Sequence, residues 1–141
     1  MTNNNSAILL VARILLSFMF IYAGYGKLVD PSGTAGMITG AGIPAATVLA
    51  YLAGLFELVA GLMVLVGFQT KLAAAALGLF CIFTAFVFHN STIVVPDWPE
   101  AALGLINMFN GLIFLKNLTL AGGYFALVAA GAGAYSIDAR R

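Results

Sequence analysis

The run Ala45–Phe68, AATVLAYLAGLFELVAGLMVLVGF, decides what kind of chain this is. Its 24 residues carry a single charge, Glu57, and no polar face of the kind a water-exposed helix needs. A helix crossing the hydrocarbon core takes about 20 mostly apolar residues, so this run is long enough to span a membrane. It is entered through Ile43-Pro44, and proline suits a helix start because the N–H it lacks would have no partner there. Working outward, Ala7–Gly26 holds 20 residues and one charge, Arg13. Leu72–His89 and Leu118–Tyr135 hold 18 residues each, with no Asp, Glu, Lys or Arg. The four runs predict an all-α membrane protein, an antiparallel four-transmembrane-helix bundle forming a single domain over 1–141.

Between the third and fourth runs lies Ala101–Leu115, AALGLINMFNGLIFL, uncharged but short for a span. It is expected to be an additional short helix, interfacial or re-entrant, before the fourth span. On a helix Asn107, Asn110 and Asn117 would share one stripe.

Composition agrees with a lipid environment. The 141 residues are 62% hydrophobic and 8% charged, with mean hydropathy +1.06, whereas a soluble domain carries about 25% charged residues. A soluble globule and a disordered chain are both excluded. A net charge of +1 offers no basic face for nucleic acid, so the bilayer is the expected partner. The lone Cys81 excludes an internal disulfide, a CxxC pair and a thiolate metal cage, and reads as packing. There is no GxGxxG, no P-loop, no histidine pair and no acidic metal cluster, so no metal and no motif-bound cofactor are expected.

The leader MTNNNS has no basic residue and the first run is long for a signal peptide, so it is expected to stay as a helix. With both termini cytoplasmic, Lys71, Arg140 and Arg141 fall inside while Lys27, Asp30, Asp97 and Glu100 fall outside, as the positive-inside rule prefers. Trp98, between Pro96 and Pro99, reads as an interfacial anchor. Sixteen glycines give the helices small faces, for contact within the monomer, with a protein partner or in a homo-oligomer.

The polar residues within the runs are the candidates for function. A charge near the bilayer centre costs from about 2.5 kcal/mol upward and needs a partner. By depth, Arg13 is the expected companion of Glu57. Lys27 and His89 close the outer ends of the first and third spans, with Tyr22 and Gly24 expected beside Lys27 on an inward stripe. Two readings stand side by side. The set either fixes helix register and caps helix ends, or forms a working site in which Glu57, Lys27 and His89 handle protons or hold a quinone-like head group.

The order of motifs resembles a known family. The first span reads ARILLSFMFIYAGYGKL, the second FELVAGLMVLVGFQTK, the third ends in TAFVFHN, the fourth begins FLKNLTLAGGYFAL, and the chain closes with GAGAYSIDARR. This set is similar to the DoxX family of small four-helix bacterial inner-membrane proteins, and the likeness runs from Ala7 to Arg141. The resemblance implies an inner (plasma) membrane location and a membrane subunit of a quinone-linked oxidoreductase system, not self-sufficient, with quinone as the possible cofactor. Carried over by position, the family's polar residues fall on Arg13, Lys27, Glu57, His89, Lys116 and Asn117 as ligand-binding candidates, with Glu57, His89 and Lys27 the catalytic ones. The Val94–Pro99 loop departs from the family pattern. The alternative function is a non-catalytic structural or assembly subunit of a larger membrane complex; a small transporter or channel is a third reading.

Overall fold

The computed structural model describes residues 3–141, with side-chain detail from Asn5 onward. Among these residues the chain forms five α-helices: α1 (Asn3–Val29), α2 (Ser32–Gly40), α3 (Ala46–Val66), α4 (Thr70–Phe88) and α5 (Glu100–Ala130), closed by a 3-10 turn at Asp138–Arg140. Four of them, α1, α3, α4 and α5, are long and apolar enough to cross a membrane. The expected four-span architecture is therefore present.

One element lies elsewhere than expected. Ala101–Leu115 is not a separate helix but the opening half of α5, which continues unbroken through Lys116 and Asn117 to Ala130. At about 1.5 Å per residue its 31 residues run roughly 46 Å, more than the roughly 30 Å hydrocarbon core requires. The polar residues that suggested a break are accommodated inside the fold. Asn107 donates to the carbonyls of Ile93 and Leu103 and accepts from the N–H of Ile93; Asn110 donates to Ser91; Asn117 donates to Thr84. The asparagine stripe thus faces α4 and the loop that follows it. The apolar tail Gly131–Tyr135, expected to finish the fourth span, leaves the helix instead at Gly131 and Gly133, both with positive φ. The short extra helix of the fold is α2, between the first two spans, in a Gly- and Thr-rich segment with little helical signal.

The spans associate as two pairs, α1 with α3 and α4 with α5, and α2 lies on α3. Backbone proximity sets the first pair. A Cβ on Gly24 would sit 2.6 Å from the Leu58 nitrogen and 2.7 Å from the Gly54 oxygen, so only glycine lets α1 and α3 cross this closely. The two pairs meet through Phe20, Ala60, Val64, Ala73, Ala74, Leu77, Cys81, Ala121, Tyr124 and Leu127, a core weighted toward the half of the bundle where α1 begins and α5 ends, with Phe20 and Cys81 at its border with the other half. The Tyr124 hydroxyl ties the pairs together by donating to the Leu16 carbonyl at 2.8 Å.

That end is closed by the C-terminal segment. The Ala134 N–H donates to the Ser6 hydroxyl, and the Ile137 and Asp138 N–H groups donate to the Val66 and Gly67 carbonyls. The Asp138 carboxylate accepts the N–H groups of Gln69 and Thr70, the otherwise unpaired donors that open α4. Arg141 lies over the Phe68 ring, 4.7 Å from its centroid. The start of α1 and the C-terminal segment consequently lie at one end of the bundle, as an even number of crossings demands.

Candidate functional site

In the other half of the bundle the helix pairs separate around a cavity of about 760 Å³. All five helices contribute to its wall. Most of the lining is aliphatic or aromatic, with Phe56 and Phe80 in contact at 5.2 Å between ring centroids. Against this apolar wall stand Lys27 from α1, Glu57 from α3, Thr84 from α4, His89 just beyond it, and Lys116 and Asn117 from α5.

Lys27 and Glu57 form the ion pair of the site. The Lys27 Nζ donates to the Glu57 Oε2 at 2.8 Å, and Glu57 is only 3% exposed. Their meeting follows from the helix crossing at Gly24 and Gly54, each about one turn from a member of the pair. The pairing expected from depth alone, Glu57 with Arg13, does not occur. Arg13 lies at the opposite end, 1% exposed, where its Nη2 donates to the Tyr135 carbonyl of the C-terminal segment. An arginine side chain points along the helix toward its N-terminus, so the guanidinium is carried away from Glu57. Nor does Tyr22 share the inward stripe; it is 72% exposed, while Gly24 is buried.

His89 has a fixed role at the rim. Its Nδ1 lies 2.8 Å from the Asn110 Oδ1. The Asn110 amide nitrogen donates to the Ser91 and His89 carbonyls, so its oxygen is the atom turned to the ring and the histidine Nδ1–H is the donor. In the neutral ring this leaves Nε2 as an acceptor. Asn117 donates to the Thr84 hydroxyl at 3.1 Å, and that hydroxyl in turn donates to the Phe80 carbonyl at 2.9 Å. Lys116 lines the cavity between these groups and forms no ion pair; Lys27–Glu57 is the one salt bridge among the described residues.

The structure therefore brings Lys27, Glu57, His89, Lys116 and Asn117 around one space and places Arg13 outside it. Thr84, not singled out in the sequence, and Cys81, read there as packing, complete the wall. Thr84 carried a usable signal, since it stands one helical turn from Phe80 and Phe88 on the same face of α4. Cys81, 1% exposed, also belongs to the packed core. The α2 residues Thr34, Met37 and Ile38 cover part of the cavity and had no signal of this kind. Asp30 organises the start of α2 by accepting the Ser32 N–H at 2.9 Å, and hydrogen bonding from Ser32 holds its carboxyl below the ordinary carboxylate range.

What this arrangement can do chemically is limited and definite. It offers an apolar volume within the usual size range of ligand sites, cationic donors in Lys27 and Lys116, and one carboxylate able to take or give a proton.

The chain matches the DoxX family model over residues 8–90, which spans α1 to the end of α4. It is 39% identical to Inner membrane protein YqjF of Escherichia coli (strain K12) over 129 residues, 92% of this chain and 88% of that one. It is 32% identical to Inner membrane protein YphA of the same organism over 133 residues, 94% of this chain and 89% of that one. No solved structure matches the chain. Four apolar spans and two inner-membrane relatives support a multi-pass inner-membrane protein. With these matches running through the ordered helices that build the cavity, the chain belongs to the DoxX family.

Proposed function

We propose that this DoxX-family protein is the membrane subunit of a quinone-linked redox system and that the cavity between its helix pairs receives the quinone head group. One observation carries the reading: an apolar space of about 760 Å³ in the membrane-spanning bundle has Lys27, Glu57 and Lys116 on its wall. A quinone carbonyl takes hydrogen bonds, which the two lysines supply. Oxidation of a quinol releases two protons and two electrons. On this reading Glu57 accepts one of the protons and the Nε2 of His89 the other, and the electrons pass to a redox centre of a partner protein. His89, whose Nδ1–H is engaged with Asn110, acts as an acceptor through Nε2 rather than as a donor to the ring.

Purification in mild detergent tests this reading directly. Quinone should extract with the protein, and a short-chain neutral quinone such as decylubiquinone should bind saturably. A cavity that holds no quinone and binds none overturns it. A stable larger complex without bound quinone or redox turnover would instead support the assembly-subunit reading.

The orientation belongs to the same proposal. Lys71, Arg140 and Arg141 lie at the end of the bundle that carries the termini, whereas Asp30, Asp97 and Glu100 lie toward the other. That distribution favours cytoplasmic termini. A reporter fused after Arg141 should read as cytoplasmic, and a periplasmic reading would reverse the orientation.

A further inference from the structure

The cavity's charges do not balance. Lys27 is matched by Glu57 at 2.8 Å. Lys116, in the middle of α5, has no carboxylate within 4.0 Å; Glu57 acts on it through space, but its carboxylate is already hydrogen-bonded to Lys27. The remaining acids cannot serve it. Asp30 is occupied at the start of α2, Asp138 caps α4 at the opposite end, and Asp97 and Glu100 are exposed, just before and at the start of α5. The polar neighbours Asn117 and Thr84 are bonded to each other. A lysine at such a depth is stable only as a neutral amine or with a counter-ion.

We infer that the cavity takes a lipophilic monoanion, with Lys116 as the counter-ion for its acidic head and the aromatic and aliphatic wall as the seat for its apolar body. The shared chemistry is one negative charge, a carboxylate or an acidic phenolate, on a hydrophobic frame. The inference rests on the reading of the cavity as a ligand site and sharpens it: a neutral quinone would take only a hydrogen bond from Lys116, whereas an acidic head group would also balance its charge. The neighbouring Lys27–Glu57 pair is neutral as a unit, so it adds no second net charge for the ligand to satisfy. A dianion is therefore a poorer match than a monoanion.

Binding is measured on the full-length protein in detergent with two matched pairs of probes. One pair is dodecanoate and its methyl ester; the other is an alkyl hydroxynaphthoquinone, ionised at neutral pH, and its methyl ether. A charge-assisted contact in a dry site should favour an acid over its neutral partner by about tenfold or more. The pair that shows the preference identifies whether the head is a carboxylate or a phenolate. Lys116→Met should erase the preference without loss of the fold, since it removes an uncompensated charge, and Lys116→Arg should restore it. Equal affinity for acid and neutral partner, or a preference that survives Lys116→Met, overturns the inference. If decylubiquinone binds while neither acid gains over its partner, the cavity stands as a ligand site and the anion inference alone falls. If no probe binds, both fall.

Discussion

Arg13 and Glu57 are buried to nearly the same degree, 1% and 3% exposed, yet they sit in opposite kinds of surroundings. Around Arg13 the bundle is full: Ala73, Ala74 and Leu77 let α4 approach closely, and the C-terminal segment closes the end. Around Glu57 the helix pairs stand apart and the space is hollow. The difference follows from which residues occupy the contact faces. Small residues and one hydrogen-bonded tyrosine draw the pairs together near the termini, where a gap would forfeit contact energy along its whole lining. Toward α2 the facing positions are bulky phenylalanines and leucines interrupted by charge, and the pairs do not close. Buried ionisable groups thus serve two ends in one molecule, Arg13 tying backbone together and the Lys27–Glu57 pair facing a volume that can be filled.

The strongest way to break this comparison is to disturb the closed end. Gly67 ends α3 with φ 71, and a Cβ there would overlap both the Arg13 Nη1 and the Ser136 side chain. Gly67→Ala therefore combines a left-handed backbone penalty of about 1–2 kcal/mol with overpacking of about 1–3 kcal/mol. Thermal unfolding in detergent should show a large loss of stability, with little folded protein recovered. Gly26→Ala is the control in α1, since nothing lies within 4 Å of its Cβ position. Its melting temperature should be unchanged or slightly raised, as expected for alanine replacing glycine in a helix. Equal sensitivity at the two positions would remove the distinction between a filled and an open half.

The open end should separate stability from function where the closed end cannot. Glu57→Ala strands Lys27, and breaking a buried pair costs about 3–5 kcal/mol in soluble proteins. The lower end of that range is expected here, because the Lys27 side chain is 21% exposed and can turn away. Glu57→Gln keeps an acceptor for Lys27 and should preserve assembly. If Glu57 accepts protons, the glutamine variant should bind quinone and fail to turn over, which a dye-reduction assay on the assembled system would read. Full turnover by Glu57→Gln would leave the residue with a register role only.

Much of the bundle was legible in the chain, and the failures have specific causes. Four spans follow from apolar length, because lipid tolerates little else. The end of the fourth span did not, because Gly131–Tyr135 is as apolar as the helix before it and only the glycine φ angles release it. The short run holding Asn107 and Asn110 was expected to be a separate interfacial or re-entrant helix, but their amides are satisfied by the loop after α4, a contact that depends on tertiary structure. Residue type picked out Lys27, Glu57 and His89 as candidates. The choice of Arg13 as partner for Glu57 failed because depth was counted from Cα positions, whereas long side chains lean toward the helix N-terminus. Glycine spacing was the better guide to the pair. Gly24 and Gly54 fix the crossing that puts Lys27 beside Glu57.

The smallest expected effect tests how the closed end is held. Asp138 is half-buried, and burial alone would push its carboxyl up, but the N–H groups of Thr70 and Gln69 with the charge of Arg141 bring it below the ordinary value of 3.8. A carboxyl lowered in the folded state stabilises the fold at pH values above its unfolded value. That contribution disappears as pH falls through the lowered folded value. Between neutral pH and the ordinary carboxylate range the clasp should therefore hold, and it should loosen only in stronger acid. Asp138→Ala removes the acceptor for two opening N–H groups of α4, a capping loss of about 1 kcal/mol. Its partial exposure keeps the figure near the low end of what a charged cap can give. The variant should melt slightly lower than the parent at neutral pH, and the gap should close as the medium is acidified below the ordinary carboxylate range. A gap that stays constant with pH would mean that Asp138 acts by shape alone, and the C-terminal segment would then be held by Arg13 and the backbone bonds to Val66 and Gly67.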